Sequence, residues 1–370
     1  MNNHPSLPFS RITIIGVGLI GGSLALAIKH RFPTVQITGV DKPRILERAK
    51  KRKAIDHAEH SAGRAVRSAG LVILAAPVSV ITSLLPIIAK NAPSHVIVTD
   101  TGSVKHGLVT QAQKLFPRGN FIGGHPMAGS EFSGIDAAHP LLFQNAIYIL
   151  TPTRSTNRKS INTLAAFFTS LDARIFVLDP AVHDSIVAAV SHLPQLAAVA
   201  LMNTVGNRHP HASTHLALAA GGFRDMTRIA SSKFEMWKDI LSANRKEIDK
   251  ALRLYINQLE RMAAAVHSRP SRLSTEFHTS RRLRMRIPPS MKGFLSPLVD
   301  LSVFVEDKPG ELARLTSSLS KKNINIKDME LIKVREGRGG TFRLSFENRT
   351  VSNDAARTLQ RVGFDVSRKS

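Results

Sequence analysis

The pattern Gly16-x-Gly18-x-x-Gly21 constrains this chain more than any other stretch. It follows the apolar run from Arg11 to Ile15 and opens an Ala/Leu-rich segment beginning with Leu19 and Ile20. A strand that empties through such glycines into a helix is the phosphate-binding turn of a doubly wound, Rossmann-type α/β domain. Gly16 permits the tight turn, Gly18 lets a pyrophosphate approach the backbone, and Gly21 lets the helix pack on the strand. Gly16, Gly18, Leu19, Ile20 and Gly21 are therefore candidate cofactor residues, with free helix N–H groups meeting the phosphate charge.

A second run, from Val35, ends at Asp41, about 20 residues beyond the fingerprint, where a carboxylate binds the adenosine ribose. Asp41 favours NAD. NADP is the alternative, because Lys42 and Arg44 follow and can neutralise a 2′-phosphate. Continuous apolar runs from Leu71 to Pro77 and from His95 to Asp100 are those of parallel strands covered on both faces. Their loops, Pro77-Val78-Ser79 and Thr101 to Lys105, fall at strand C-termini and line the expected crevice, with Pro77 and Ser103 as cofactor contacts. Stretches from Asn145 to Leu150 and from Arg174 to Leu178 read as further strands that complete the sheet.

The segment Phe121 to Glu131 places His125 after two glycines and before a proline. It reads as a tight turn with neighbours too small to cover the imidazole. Histidine titrates nearest neutral pH and suits proton transfer from an alcohol whose carbon loses hydride. One histidine among 15 is ordinary; its loop singles it out.

Beyond Pro180 the texture changes to apolar residues at helical spacing, broken by Pro194 and Gly221-Gly222. Helices this apolar bury more than one face, which implies an all-α homodimer core. Arg224, Asp225 and Arg228 cluster beside the glycines, and a local Asp225–Arg228 ion pair is the plain reading. Residues 268–296 are Pro/Ser/Arg-rich and read as a basic linker. Alternation then returns in βαββαβ order. The expected organisation is 1–180 dinucleotide-binding, 181–267 helical, 268–296 linker and 297–370 a small α+β module.

The net charge of +24 would ordinarily suggest a polyanionic partner. With 5% aromatic residues and one Trp there is little on which bases could stack, so no specific nucleic-acid partner is expected. The absence of cysteine excludes disulfides, thiolate nucleophiles and cysteine-held metals, fits a reducing cytoplasm, and leaves no metal expected. No apolar run reads as approaching the roughly 20 residues that span a bilayer, so no membrane partner is expected.

Over about residues 10 to 265 the chain resembles the prephenate and arogenate dehydrogenases of tyrosine biosynthesis. The resemblance rests on the fingerprint, Thr99-Asp100-Thr101-Gly102-Ser103, Gly124 to Glu131, Ser191-His192-Leu193-Pro194, and Gly222 to Ala230 with Trp237 shortly after. The tail from about Pro297 resembles an ACT domain, a ferredoxin-like module that binds amino acids. The resemblance implies NAD-dependent oxidation of the ring alcohol of prephenate with loss of CO2, giving 4-hydroxyphenylpyruvate.

On that resemblance, His125 matches the catalytic histidine and Ser103 the serine beside it. Arg228 matches the arginine that holds a substrate carboxylate, and Glu131 and Asp225 match acids that join it in an ionic network. His192 matches a histidine near the site and Trp237 a residue that reaches across the dimer; core packing is an equal reading of both. Gln195 stands where some members carry a further histidine against the substrate side chain. Prephenate and arogenate both stay open there, with prephenate favoured. Tyrosine is the expected effector, at the turn containing Asp307, Pro309, Gly310 and Leu312, where a glycine and free helix N–H groups form a donor concavity. Dimerisation alone is the other reading of that module. Two further classes compete. A β-hydroxyacid dehydrogenase relies on a catalytic lysine that the matching helical motif lacks, and an amino-acid sensor has no use for the intact histidine, serine and arginine set.

Overall fold

A computed structural model describes residues 9–129, 132–207, 211–287, 298–335 and 339–368. The chain divides into two compact units, Met1–Leu273 and Ser274–Ser370.

In the first unit β1 (Arg11–Ile15) leads into α1 (Leu19–Arg31). The alternation continues through β2 (Gln36–Val40), α2 (Pro43–Lys51), β3 (His57–Glu59), α3 (Ala62–Ala65), β4 (Leu71–Leu74) and α4 (Val78–Asn91). It ends with β5 (Ile97–Asp100), α5 (His106–Leu115), β6 (Phe121–Pro126), β7 (Ile147–Thr151), α6 (Arg158–Ser170) and β8 (Arg174–Val177). The eight strands form one sheet of order β3-β2-β1-β4-β5-β6-β7-β8. Neighbours from β3 to β6 are parallel. The late strands differ from a purely parallel expectation, since β7 is antiparallel to β6 and β8 runs parallel to β7.

The pleat explains the continuous apolar runs. Along β4, Leu71 and Ile73 enter the core on one face, with Ile14, Leu24 and Phe168, while Val72 and Leu74 enter the other, with Ile81 and Leu85. Both faces are covered by helices, so no polar alternation is needed. Strand order reverses between β1 and β4, where the fingerprint turn sits. Gly16 has φ of 92°, and a Cβ there would lie 2.3 Å from the Ala75 carbonyl oxygen; at Gly21 it would lie 1.9 Å from Gly16 O. A Cβ at Gly18 would meet nothing within 4 Å, which leaves space over that backbone for a ligand.

The helical part begins where Asp179 accepts from the N–H groups of Ala181 and Val182 at 2.8 and 3.2 Å, with Pro180 in the first turn. A continuous run follows: α7 (Pro180–Val187), a π-turn (Ala188–His192) and α8 (Leu193–Asn207). Then come α9 (Ala212–Ala217), α10 (Gly221–Thr227), a 3-10 turn (Arg228–Ser231), α11 (Phe234–Ala243) and α12 (Arg245–Ser268). With a mean hydropathy of 1.6, the run Pro180–Asn207 is long and apolar enough to cross a bilayer by length and composition, contrary to the sequence reading. The same run carries buried His183, Asp184, His192 and Gln195, all hydrogen-bonded within the protein.

Part of the expected linker is helical, as α13 (Leu273–Arg284), and its residues from 288 to 296 lie outside the described residues. The second unit contains β9 (Val299–Val305), α14 (Glu311–Ser320), β10 (Asp328–Arg335), β11 (Gly339–Phe346), α15 (Arg349–Arg361) and β12 (Asp365–Arg368). Its antiparallel sheet has the order β10-β11-β9-β12 and closes on Leu301, Val303, Leu315, Leu344, Phe346 and Leu359. This is the ferredoxin-like βαββαβ arrangement that the alternation predicts.

Candidate active site

His125 is not on an open turn. It lies within β6, paired in register with Ile149 of β7, and is 9% exposed. The two glycines before it serve close packing. A Cβ on Gly124 would come within 2.4 Å of Asp100 O, and one on Gly123 within 2.3 Å of Thr151 Oγ1. Small residues there let β6 approach β5 and β7 and carry the imidazole inward.

The ring has a partner that the sequence reading did not find. His125 Nδ1 lies 2.8 Å from His183 Nε2, and His183 Nδ1 lies 2.8 Å from Asp184 Oδ1. Asp184 also accepts from the main-chain N–H groups of Lys105 at 2.7 Å and His106 at 2.9 Å. Its carboxylate is therefore an acceptor, so His183 Nδ1 carries the proton and its Nε2 is left as the acceptor that faces His125. His125 Nδ1–H then donates, which leaves His125 Nε2 as a free lone pair. Burial above all, with His183, Lys105 and His192 acting in the same direction, holds His125 well below the usual histidine range. The ring is thus a neutral base across neutral pH.

The Ser103 loop is tied to the same strand. Asp100, fully buried at the end of β5, accepts from Gly102 N at 2.7 Å and, through its other oxygen, from Gly124 N at 3.1 Å. It also pairs with the buried ammonium of Lys105. One carboxylate thus joins the serine loop to the residue preceding His125.

The helical part adds a second layer. Nine residues of regular α-helix make about 2.5 turns, which would set His183 and His192 on opposite sides. The intervening π-turn changes that phase. Asn244 Nδ2 donates to Asp184 O at 2.8 Å and lies 3.3 Å from His192 Nδ1. Burial lowers the His192 pKa to about 4 against the opposing pull of Asp184. Trp237 packs edge-on against His192, with ring centroids 5.9 Å apart. Two residues beyond Trp237, Asp239 accepts from Ser79 N at 3.2 Å and from Ser79 Oγ at 2.5 Å, in the first turn of α4 after Pro77.

His125, Ser103, His192 and Trp237 are thus linked through Asp100, His183, Asp184 and Asn244. Gln195 is buried and donates to Ile229 O at 3.0 Å, so it holds the turn that Arg228 begins. Asp225 and Arg228 are exposed. Glu131 lies outside the described residues. Asp41 Oδ2 accepts from Val17 N at 2.7 Å, so the acid after β2 is bound to the fingerprint turn itself. In the second unit, Gly310 has φ of 90° and caps α14. Asp307 and Leu312 line a cavity of about 180 Å³ with Val305, Lys308, Leu331 and Phe342, whereas Pro309 and Gly310 do not.

His183, Asp184 and Asn244 escaped the sequence reading. The available signal was an adjacent His-Asp pair inside an otherwise apolar helix, where two titratable side chains call for buried partners.

The chain is similar to known proteins over most of its length. Residues 24–177 match the prephenate dehydrogenase nucleotide-binding domain, and residues 179–278 match the prephenate dehydrogenase dimerization domain. Prephenate dehydrogenase of Bacillus subtilis is 36% identical over 341 residues, covering 91% of this chain and 92% of that protein. Among solved structures, prephenate dehydrogenase from A. aeolicus in complex with hydroxyphenyl propionate and NAD+ is similar with a TM-score of 0.71 and 28% identity. The match covers 76% of this chain and 99% of that one. Synechocystis arogenate dehydrogenase gives a TM-score of 0.66 and 30% identity over 74% of this chain and 99% of its own.

Proposed function

The chain belongs to the prephenate dehydrogenase family, which makes it an NAD-dependent oxidoreductase of prephenate, and we propose that His125 Nε2 is the group that takes the alcohol proton. The observation that carries this role is the His125–His183–Asp184 chain, which commits Nδ1 inward and leaves Nε2 available.

The residues around the fingerprint fit the dinucleotide. Gly18 leaves its backbone open, no side chain caps the start of α1, and Asp41 stands at the end of β2 beside Val17. NAD bound there supplies the hydride acceptor. His125 Nε2 accepts the hydroxyl proton as the carbinol C–H bond breaks, and His183, backed by Asp184, stabilises the imidazolium that forms. Ser103, held by Asp100 through Gly102, orients the hydroxyl. As CO2 leaves, the electrons of the broken C–C bond aromatise the ring, and Nε2 returns its proton to the oxygen that ends as the phenol of 4-hydroxyphenylpyruvate. Turnover releases no net proton, which suits a base buried away from solvent. Arg228 binds a substrate carboxylate, for which a guanidinium fork is better matched than an ammonium. Asp225 steadies that arginine.

Measuring NADH formation with prephenate for wild type and His125→Asn tests the assignment. A loss of kcat of roughly 10²-fold with unchanged NAD binding is expected, and an active variant would remove His125 from the chemistry. Arogenate is the second reading, favoured by the likeness to the Synechocystis enzyme, and the same assay with arogenate separates the two.

The organisation we favour is 1–180 for NAD, 181–267 for substrate and dimerisation, and 297–370 for regulation, with a cytoplasmic location. Tyrosine fits as effector in the second unit, its carboxylate at the Gly310 turn beside the Asp307–Leu312 cavity. Tyrosine inhibition of the full chain should be lost in Gly310→Asp; inhibition unchanged in that variant would assign it to competition at Arg228.

A further inference from the structure

Lys105 is fully buried, as is its partner Asp100. A buried ion pair is weak evidence of stabilisation, because the desolvation of two charges offsets their attraction and an apolar pair often serves as well. Its connections suggest another purpose. Asp100 uses one oxygen for Gly102 N and the Lys105 ammonium, and the other for Gly124 N. Lys105 in turn gives its main-chain N–H to Asp184, the carboxylate behind His183. Its stem runs along β6, where a Cβ on Gly123 would lie 3.3 Å from Lys105 Cδ. Three segments that supply the site therefore meet at this one residue, the serine loop and β6 at its side chain and the helical part at its main-chain N–H.

We propose that Lys105 is a positioning residue for the reaction, which with Asp100 sets the spacing of Ser103 from His125 and sets both against the His183–Asp184 pair. This inference rests on the reading of His125 as the proton acceptor. Lys105 also brings an ammonium, paired with Asp100, close to an imidazole that must stay neutral. The groups whose charge acts on His125 are His183 from α7, Lys105 from the loop after β5 and His192 from the π-turn, with Asp184 paired to His183 and Asp100 to Lys105. Lys105 opposes protonation of His125, while burial lowers the pKa of its own ammonium against the pull of Asp100 and Asp184.

The test compares Lys105→Met, Lys105→Met/Asp100→Asn and His125→Asn with wild type in the full chain. It measures Tm, NAD binding, and kcat and kcat/KM for prephenate against pH. Lys105→Met should lose about 10²-fold in kcat, as misplacement of reacting groups does. Its acid limb should move up toward the ordinary histidine range, while NAD binding holds. The double variant should regain the Tm lost by the single one without regaining kcat or the wild-type limb. Recovery of kcat together with Tm overturns the proposal, as does loss of kcat with an unmoved limb. A double variant that fails to fold also overturns it, by making the pair a requirement of the fold. If His125→Asn turns over normally, the base assignment fails whatever Lys105 does. If His125→Asn is inactive and Lys105→Met is normal, only the positioning role fails.

Discussion

His125 and His183 are 58 residues apart in sequence and 2.8 Å apart in space, Nδ1 to Nε2, one on a sheet strand and the other on the first helix of the helical part. The contact spans both parts of the site, so it forms only when the two are docked correctly. Replacing His183 with Phe frees the His125 tautomer and removes support for the imidazolium. A fall in kcat of ~10²-fold is expected, with little change in the KM for NAD. Asp184→Asn should lose activity and Tm together, because Asp184 also accepts from Lys105 N and His106 N. Wild-type kcat in His183→Phe would make the histidine pair a packing contact.

The pH dependence follows from two depressed histidines. His125 lies well below 6.5 and His192 at about 4, burial being the main cause in both. A base with a lowered pKa stays unprotonated further into acid, so kcat/KM should remain flat from neutral pH to below the ordinary histidine range before it falls. An acid limb centred near 6.5 would contradict the burial of His125.

Stability should show the same groups with a definite sign. Between the folded and unfolded pKa values the unfolded chain binds protons that the folded chain does not, so the folded state is favoured less as pH falls. Tm should be level above about pH 6.5 and decline from there toward pH 4, the value to which His192 is lowered. His125→Asn should flatten part of that decline; an unchanged slope would assign the acid sensitivity elsewhere.

Gly124 tests the close approach of β6 to β5. A Cβ there meets the Asp100 carbonyl oxygen at 2.4 Å and Thr99 Oγ1 at 2.9 Å, and the first of these is backbone, which cannot swing aside. Gly124→Ala should cost about 1–3 kcal/mol in unfolding free energy and displace His125, lowering kcat as well. Both losses should appear in thermal melts and steady-state assays, and a variant with native kcat would show that β6 can move without consequence.

Gln195 and Arg228 should be coupled through a shared turn. Arg228→Ala should raise the KM for prephenate roughly tenfold or more, the scale of a charge-assisted contact, and leave the KM for NAD nearly unchanged. Gln195→Leu breaks the hydrogen bond to Ile229 O and should raise the same KM to a smaller extent. Equal effects of Arg228→Ala on both KM values would place that arginine in the scaffold.

Much of this protein was legible in its sequence because the signals are local. A strand, three spaced glycines and a helix occupy consecutive residues; Gly16 and Gly21 answer to close contacts with the neighbouring strand and within the turn, and Gly18 leaves its backbone open. The two-residue period of β9 and β11 and the apolar runs of β4 and β5 likewise depend on nearest neighbours along the chain. His125, Ser103 and Asp41 were recognisable for the same reason, each sitting in a short, distinctive segment. The environment of His125 was not. The glycines suggested an open turn, but they exist to bring three strands together, and the imidazole is buried as a result. Its partner on α7, the carboxylate of Asp184 that orients that partner, and the Asp100–Lys105 pair beneath both depend on where remote segments cross. The π-turn that re-aims His192 interrupts a helical pattern by one residue, too slight a change for periodicity to register. Residue identity along the chain determined which groups were available for chemistry. Tertiary packing alone decided which nitrogen of His125 is free, because a tautomer is set by the acceptor that the fold places opposite it.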